Sequence, residues 1–487
     1  MDLSTLYGNE VPENVAKEAK RSFEMLAKYF KFDPNDFPRL SAFDMGDGFN
    51  DFGIKTVLSS DFTDTTQTAA HTLNSKNSVM IGTIRMGFGH CRIAIALCSA
   101  AKALGVTPYW MDLLSFPEYA GTRYIKQIEK MYNLGSRISQ RWKFFDKHIW
   151  SYFTSDAGMQ LTFTVKQRSM WQIIAPLFAD VPKDIPFLST HPWVGHGAVA
   201  ANIENVVTIV PDNFPVAFHL VPGSTHAIQS PSAYMGYRTF MSMGQKMLIQ
   251  ECLPQDAIFE CGHYVDHEIV ENVEIDCENR LRRMRENKPR RILLTMGGAG
   301  AQVKHFSSIV EFLKGHIEDK KCTLFINMGD HNARWENLKA NFDEMGVPYC
   351  LHSDWDESRS FIANCHGEDA YGIHVFLHNY FYAAVYSTNL LMRICDVMIT
   401  KPSELSFYPV PKIFIQRVGR HEAWGAIRGS EIGDGTIETS SPTNLRRTLK
   451  IIVEESDLLE IYCKHIIQNK KNGIYNGAYN AIKRAIS

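Results

Sequence analysis

The chain has 487 residues, of which 45% are hydrophobic and 21% charged, so length and composition favour two globular domains over disorder. Its 51 basic and 53 acidic residues give a formal net charge of -2, which argues against nucleic acid as a main partner. The start lacks a signal-peptide pattern, and no run of 18 apolar residues occurs. We therefore predict a cytoplasmic protein whose membrane contact would be peripheral, on the inner face.

The 10 cysteines are scattered, with no CxxC pair and no zinc-like spacing. This pattern predicts reduced thiols and gives no indication of a metal site.

The first half of the chain predicts parallel strands joined by helices. Ser78–Thr83 is predicted as a buried strand that leads through a glycine turn into a helix ending at Gly105. The next strand, 107–112, completes a β-α-β unit, and 187–190 and 206–210 are further strand candidates.

A second strand, glycine turn and helix begin at Ile292, after a charged segment. The segment 374–394 is interpreted as an apolar core helix. Short buried strands are predicted at 322–328, 349–352, 397–400 and 412–416. The predicted organisation is an N-terminal extension (1–75), a first Rossmann-like domain (76–277), a linker (278–291), a second Rossmann-like domain (292–455) and C-terminal helices (456–487).

Two glycine turns are candidate anion-binding sites. Gly87 and Gly89 stand where a strand meets a helix, so backbone N–H groups could face a ligand. His90 follows in the first helical turn, where the helix dipole favours a neutral imidazole able to accept a proton. The segment 296–300 repeats this pattern in the second half. The alternatives are glycines needed only for packing and a surface or capping histidine.

Polar residues follow the predicted strand 397–400. Lys401, Ser403, Glu404 and Ser406 should lie at its carboxyl end, where α/β sheets bind ligands; the alternative is an ordinary polar loop. His421 and Glu422 form another polar, glycine-rich loop, but no HExxH pattern supports a metal there.

The stretch from Arg123 to Trp171 interleaves aromatic and basic side chains. Such a pattern suits the interface of an anionic membrane, with Trp142, Phe144 and Trp150 at headgroup depth. A helix pair packed against the domain explains the same pattern.

Taken in order, these segments resemble the glycosyltransferase family 28 group, above all the monogalactosyldiacylglycerol and diglucosyldiacylglycerol synthases. The similarity is discontinuous between about residues 78 and 436. It is carried by Gly87-Phe-Gly-His90, Ser189-Thr-His191-Pro192-Trp193, Val210-Pro211-Asp212 with Ser230-Pro231-Ser232, Leu294-Thr-Met-Gly297-Gly298 with Asn327-Met-Gly329-Asp-His-Asn332, and Cys395-Asp-Val-Met-Ile-Thr-Lys401-Pro-Ser-Glu-Leu-Ser406.

The resemblance implies an α/β chain of the GT-B fold, with two Rossmann-like domains facing a cleft. It implies inverting transfer of a hexose from a UDP-sugar donor to a lipid acceptor such as diacylglycerol, with no cofactor beyond the donor. His90 and Asp212 would be catalytic, and His191 would belong to the acceptor side. The implied donor-binding residues are Gly87, Gly89, Gly297, Gly298, Ala299, Gly329, Asn332, Lys401, Ser403, Glu404, Leu405, Ser406, His421 and Glu422.

The sequence departs from the family pattern after Lys401. Ser403 and Glu404 stand where glycines are usual, and Pro409 falls near the place of a sugar-binding glutamate. Glu404 or Glu422 is a hypothetical substitute for that carboxylate. Two alternative functions share the expected fold: a UDP-sugar 2-epimerase-like enzyme and a non-catalytic protein that binds a sugar nucleotide or a lipid.

Overall fold

The computed structural model describes residues 2–44, 53–60, 71–85, 87–128, 160–241, 243–244, 246–297, 302–417, 419 and 421–487. These residues form two compact units. The first comprises Met1–Met86, Ile93–Asp266 and Gly477–Ser487, and the second comprises Gly87–Arg92 and His267–Asn476.

In the first unit, the described residues form an eight-stranded sheet and a small antiparallel ribbon. The ribbon pairs β1 (Thr5–Leu6) with β2 (Asn9–Glu10). The sheet contains β3 (Leu40–Asp44), β4 (Lys55–Ser59), β5 (Ser78–Thr83), β6 (Thr107–Asp112), β7 (Phe187–Ser189), β8 (Val206–Ile209), β9 (Thr225–Ile228) and β10 (Ile258–Glu260). Its order is β10-β9-β8-β7-β5-β6-β4-β3, and neighbouring strands are parallel except β3 and β4.

In the second unit, the described residues form a seven-stranded, wholly parallel sheet in the order β13-β14-β12-β11-β15-β16-β17. Its strands are β11 (Arg290–Thr295), β12 (Cys322–Gly329), β13 (Cys350–His352), β14 (Gly372–Leu377), β15 (Val397–Thr400), β16 (Lys412–Phe414) and β17 (Gly435–Glu438).

Helices connect the strands of both sheets. They are α1 (Glu13–Tyr29), α2 (Gly89–Ala103), α3 (Leu161–Met170), α4 (Pro192–Ala200), α5 (Pro231–Arg238), α6 (His267–Glu271), α7 (Val273–Arg285), α8 (Val303–Glu318), α9 (Asn332–Met345), α10 (Trp355–Asn364), α11 (Phe381–Ile394), α12 (Ala423–Glu431), α13 (Pro442–Glu454), α14 (Asp457–Lys471) and α15 (Gly477–Ile486). Short 3₁₀ helices lie at Leu113–Ser115, Trp171–Phe178, Ala217–His219, Gln255–Ala257 and Glu404–Phe407.

The central strands are buried along their whole length, as the parallel arrangement requires. Every residue of β5 and of β11 is buried, which explains why their central residues, 79–82 and 292–294, are continuous apolar runs rather than alternating ones. Gly105, with φ of 74°, follows α2, and Gly346, with φ of 62°, follows α9, so both helices end at a glycine in the left-handed region. Two Rossmann-like α/β units are therefore present, and the predicted fold class is confirmed in this respect.

Several predicted strands are confirmed to within one or two residues, including β5, β6 and β15. The helix expected over 374–394 is wrong in its first part, because β14 ends at Leu377 and α11 begins at Phe381. A buried parallel strand and a buried helix have the same apolar composition, and only the break at His378–Tyr380 separates them.

The chain termini and the predicted linker differ from the expected organisation. β3 and β4, from the predicted N-terminal extension, extend the first sheet. The predicted linker 278–291 contains the end of α7 and the start of β11, while the compact units divide at Asp266. At the other end, α15 returns to the first unit, where Gly477 lies so close to the Gly262 carbonyl that a Cβ atom would approach its oxygen to 2.2 Å.

Within the described part of the chain, no helix is both long and apolar enough to cross a membrane.

Candidate functional site

The second sheet changes its winding direction between β11 and β15. From β11 the chain moves to β12 on one side, and after β14 it returns to β15 on the other side of β11. The carboxyl ends of β11 and β15 therefore diverge into two connections, and such a switch point is where open α/β sheets form a ligand-binding crevice. Gly297 follows β11 by two residues, and Lys401 follows β15 directly.

Gly297 and Lys401 are in close contact at this switch point. A Cβ atom on Gly297 would lie 2.8 Å from Cε of Lys401, so a larger residue would displace the lysine stem. The Gly297 N–H donates to Oε1 of Gln302 over 3.4 Å, a long hydrogen bond. Glycine at this position thus lets a cationic side chain lie directly against the backbone of the turn.

Lys401 forms an ion pair with Glu422. The Lys401 ammonium contacts Oε1 of Glu422, and the two side chains are only 13% and 9% exposed. The second carboxylate oxygen of Glu422 accepts a hydrogen bond of 3.1 Å from the Gly419 N–H. This pair is shielded from water, so the attraction between its two charges is screened less than in an exposed ion pair, while both charges are partly desolvated.

The residues after Lys401 form the tight 3₁₀ helix Glu404–Phe407. Ser403 and Glu404 are half-buried, whereas Leu405 and Ser406 are buried. Ser406 has no hydrogen-bond partner for its hydroxyl among the described residues, and a Cβ on Gly425 would lie 2.7 Å from that hydroxyl. Leu405 and Ser406 are therefore packing residues of the turn, while Glu404 retains an accessible carboxylate.

Glu404 lines a small concavity of about 10 Å³ within the second unit. The hydroxyl-bearing residues Thr295, Thr388, Thr400 and Ser403 line it too. Thr295 has a buried hydroxyl with no hydrogen-bond partner among the residues that the structure describes. The remaining lining residues are Phe88, Arg92, Met296, Gly297, Asn327, Gly329, Ala384 and Leu405.

The first glycine turn, Gly87–His90, also belongs to the second unit. Gly87 is exposed, with φ of 87°, and His90 is half-buried in the first turn of α2. A Cβ on Gly89 would lie 3.4 Å from Oε2 of Glu404. Two sequence-predicted site residues, Gly89 and Glu404, are thus brought together.

Phe88 lies against the backbone of Gly329. A Cβ on Gly329 would be 2.7 Å from the Phe88 ring, so this contact leaves no room for a side chain. The φ of 63° at Gly329 also disfavours any residue other than glycine. Asn332 begins α9, and its amide donates to Oδ1 of Asn379 at 2.8 Å. His331 packs on Phe88 with ring centroids 5.5 Å apart, and burial lowers the pKa of its imidazole.

Arg92 was not predicted as a site residue. Its buried guanidinium donates to Oδ1 of Asn389 at 2.8 Å, to Oγ1 of Thr388 at 3.1 Å and to the Val385 carbonyl at 3.2 Å. The amide of Asn327 contacts the same Thr388 hydroxyl at 2.7 Å. The sequence signal was a lone arginine in the apolar helix GHCRIAIALCSAAKA, because a buried guanidinium requires dedicated acceptors.

His421 is half-buried, and its ring lies 2.6 Å from where a Cβ on Gly419 would be. Its backbone carbonyl accepts from the Trp424 N–H at 3.2 Å. His421 thus packs beside the loop that orients Glu422. No group of three or more potential metal ligands occurs among the described residues.

Asp212 follows β8 in the first unit. One of its carboxylate oxygens lies 3.6 Å from Nε2 of His219, and the Asp212 side chain is 35% exposed. Nδ1 of His219 is 2.8 Å from the hydroxyl of the buried Tyr237, whose pKa is raised well above its ordinary value by burial. Sequence reasoning missed His219 and Tyr237, since nothing in their spacing links them to Asp212.

His191 lies at the start of α4 in the first unit. Its Nδ1 accepts from the Trp193 N–H at 3.2 Å, so the imidazole is the N-terminal cap of the helix, and the residue is buried. This placement gives His191 a structural role that the acceptor-side prediction did not include.

Five predicted site residues lie outside the described residues: Gly298, Ala299, Trp142, Phe144 and Trp150. The aromatic side chains near the two described ends of the stretch Arg123 to Trp171 are buried in the hydrophobic core. Tyr124 is 4% exposed, and Trp171 is 2% exposed and stacks on Trp193 with centroids 4.2 Å apart. The expectation that the stretch is interfacial as far as Trp171 is wrong at these two positions, because their rings fill the first core.

Two family models match the chain. Residues 5–239 match a "Domain of unknown function (DUF6937)", and residues 253–486 match a "Domain of unknown function (DUF6938)". No curated protein matches the sequence.

Solved structures similar to the chain include a glycosyltransferase and two 2-epimerases, one of them putative. A glycosyltransferase from Rickettsia africae is 12% identical, with a TM-score of 0.39, over 85% of this chain and 98% of that one. The UDP-GlcNAc 2-epimerase from Neisseria meningitidis, bound to UDP-GlcNAc, is 12% identical, with a TM-score of 0.44, over 84% and 98%. A putative UDP-N-acetylglucosamine 2-epimerase from Listeria monocytogenes is 13% identical, with a TM-score of 0.46, over 84% and 96%.

Proposed function

We propose that this chain is a glycosyltransferase of the GT-B type that binds the diphosphate of a UDP-sugar at the carboxyl ends of β11 and β15. The observation that carries the proposal is the contact of Gly297 with Lys401 at the switch point of the second sheet. A glycine lets a diphosphate approach the backbone, and an adjacent ammonium stabilises the negative charge that grows as the nucleoside diphosphate leaves. The sequence resemblance to glycosyltransferase family 28 supports the same location.

Glu404 is the better of the two substitutes for the family's sugar-binding carboxylate. Its side chain lines the concavity with several threonine hydroxyls, whereas the carboxylate of Glu422 is held by Lys401 and Gly419. The two oxygens of a half-buried carboxylate can each accept a hydrogen bond from a sugar hydroxyl. We expect Glu404→Gln to weaken binding of the UDP-sugar while leaving binding of UDP unchanged in calorimetry.

The proposed reaction is an inverting displacement. A general base removes the proton of the acceptor hydroxyl, the oxygen attacks the anomeric carbon, and the bond from that carbon to the diphosphate breaks, with its electron pair leaving on the diphosphate. His90 and Asp212 are the candidates for the base. The Asp212 carboxylate is oriented by a neighbouring histidine: Nε2 of His219 faces the carboxylate, and Nδ1 of His219 is hydrogen-bonded to the Tyr237 hydroxyl.

A hexose as the transferred group and a lipid such as diacylglycerol as the acceptor rest on the sequence resemblance. The membrane surface would be contacted peripherally through Trp142, Phe144 and Trp150. Replacing all three with serine should reduce binding to vesicles of anionic phospholipid, and unchanged binding would reject the interfacial role.

Thermal denaturation with a panel of nucleotides tests the proposal. Ligands that bind only the folded state raise the melting temperature, by an amount equivalent to about 2.7 kcal/mol at a hundredfold excess over Kd. We expect a shift selective for UDP and UDP-sugars over GDP, ADP and CDP. No shift with any nucleotide would reject the donor site, and turnover of a UDP-sugar without an acceptor would indicate an epimerase instead.

A further inference from the structure

The charged segment 278–291, predicted from the sequence as a linker, contributes much of the lining of a cavity of about 380 Å³ in the second unit. The rest of the lining comes from Asp276, residues 365–369 and residues near 393–396. The cavity therefore lies at the amino ends of β11, β14 and β15. A strand of six residues such as β11 spans about 20 Å, so this cavity is distinct from the switch point at the carboxyl ends.

Three carboxylates of the cavity are already paired with cations of the cavity. The pairs are Asp276 with Arg393, Asp369 with Lys288 and Arg283, and Asp396 with Arg283, at N···O distances from 2.8 to 3.5 Å. Three negative charges thus meet three positive ones, and this group of side chains contributes no net charge to the cavity.

Two further cations, Arg280 and Arg291, are buried and lack a carboxylate partner among the described residues. Each is 3% exposed. Arg280 donates to the Cys395 carbonyl at 2.8 Å, and Arg291 donates to the Cys365 carbonyl at 2.7 Å. The Nε of Arg291 has no hydrogen-bond partner in the described part of the chain. Backbone carbonyls satisfy guanidinium hydrogen bonds without removing the charge, and water screens that charge weakly at this depth.

The remaining charged residues of the lining are Arg282, Glu286 and Glu368, and all three are exposed. Water therefore screens the two unpaired carboxylates more strongly than it screens the buried guanidiniums. Burial lowers the pKa of His366, and the nearby Arg393 and Arg291 lower it as well, which agrees with a positive potential in the cavity.

We propose that this cavity binds a small oxyanion with two or more negative charges, either a phosphate ester or a polycarboxylate. Its volume falls within the range of about 300–1,000 Å³ that small-molecule sites occupy. The buried guanidiniums supply the attraction. Arg282 and Lys288 supply donors, because no hydrogen bond of the Arg282 side chain occurs among the described residues and only one of the three N–H groups of Lys288 reaches Asp369. This site does not depend on the glycosyltransferase function proposed above.

Calorimetry on the full chain with inorganic pyrophosphate and with citrate tests the proposal. Changing Arg282→Gln together with Lys288→Gln should weaken binding at the cavity by about three- to tenfold, since each removes a partly screened charge. The matched control is Arg446→Gln with Lys450→Gln on α13, an exposed arginine and lysine outside the cavity, and it should leave affinity within twofold. Equal losses in the two chains would overturn the proposal.

Glu368→Gln tests the sign of the charge. Removing this exposed carboxylate should tighten the binding of both oxyanions by about two- to fivefold, because it removes repulsion at the cavity. The backbone carbonyl of Glu368, which accepts from Arg291, is unchanged by the substitution. A general loss of structure cannot produce tighter binding, and weaker binding by this variant would contradict the proposal.

The Lys401→Met chain separates this cavity from the proposed donor site. Citrate affinity should stay within twofold, and pyrophosphate should still bind at one site. Loss of both ligands in this chain would assign the oxyanion to the switch point and overturn the proposal, as would no binding of either ligand to the unaltered chain at millimolar concentration. Tighter binding of pyrophosphate would identify the ligand as a phosphate ester, and tighter binding of citrate would identify it as a polycarboxylate. A missing UDP shift in thermal denaturation would reject the glycosyltransferase function alone.

Discussion

The two sheets have switch points of the same topology but different chemistry. In the first sheet the switch lies between β5 and β7, and the residues there bond to each other: the Thr190 hydroxyl donates to Oγ1 of Thr83 at 3.0 Å, and both side chains are fully buried. In the second sheet the switch between β11 and β15 carries a glycine, a lysine and a glutamate. Topology thus provides a crevice in each unit, but only the residues that follow the strands decide whether it holds a ligand or a core.

The glycines of the two switch points make the same contrast. Gly82, in β5, has no room for a Cβ because the Phe187 ring and Val194 would each lie 2.6 Å from it. Gly297 has no room because of a flexible, charged lysine. Glycine is therefore required at position 82 by the packing of the core, and at position 297 by the close approach of the charged Lys401 side chain.

The largest expected effect concerns the proposed catalytic base, for which Asp212 and His90 are the candidates. Asp212→Asn should reduce transfer by about 10²- to 10⁴-fold while leaving UDP affinity unchanged, because the amide cannot accept the acceptor's proton. His90→Ala should do the same if His90 is the base. Steady-state kinetics with calorimetry of UDP separates the two, and loss of UDP binding in either variant would assign that residue to the donor site.

Lys401→Met should weaken UDP binding by about tenfold to a hundredfold, since it removes a shielded charge at the second switch point. Thr190→Val at the first switch point is the matched control and should leave UDP affinity within twofold of the unaltered chain. Equal losses in both variants would show that the two switch points do not differ in function.

Acidification should lower the stability of the first unit through His196 in α4, the helix that follows β7. Burial lowers the pKa of His196, in α4, from 6.5 to about 3, so the folded chain keeps this imidazole neutral. Below pH 6.5 this imidazole takes up a proton in the unfolded chain but not in the folded chain. The free energy of unfolding therefore decreases as the pH is lowered, by about 2 kcal/mol at pH 5 from this residue. His196→Asn should flatten the dependence of the melting temperature on pH between 6.5 and 5; an unchanged slope would contradict the neutral, buried state.

The smallest effects come from adding one methyl group at each glycine. Gly82→Ala should lower stability by about 1–3 kcal/mol, because β7 and α4 must move, with unchanged UDP affinity in the folded protein. Gly297→Ala should weaken UDP binding by about tenfold with little change in melting temperature, because Lys401 can shift. Opposite outcomes, with Gly297 controlling stability and Gly82 controlling binding, would reverse the comparison.

The sequence predicted the two sheets better than it predicted the site. Continuous apolar runs identify buried parallel strands, so β5, β6 and β15 could be placed, but the same composition concealed β14 beside α11. Glycines and a lysine at strand ends predicted candidate ligand-binding positions, and the structure brings Gly297 and Lys401 of this set together. The pairing of Lys401 with Glu422, and of His219 with Asp212, depends on how loops return to the sheet, which no local pattern encodes.

The last helix of the chain has a consequence for biosynthesis. α15 belongs to the first unit, and Ala478, Ala481, Ile482 and Ala485 are buried there. The ribosome therefore completes every strand of both sheets before it supplies the helix that finishes the first unit. All segments of the second unit precede α15 in the chain, so the second unit can reach its final packing first. The first unit must wait, with apolar surface exposed, until α15 has been synthesised.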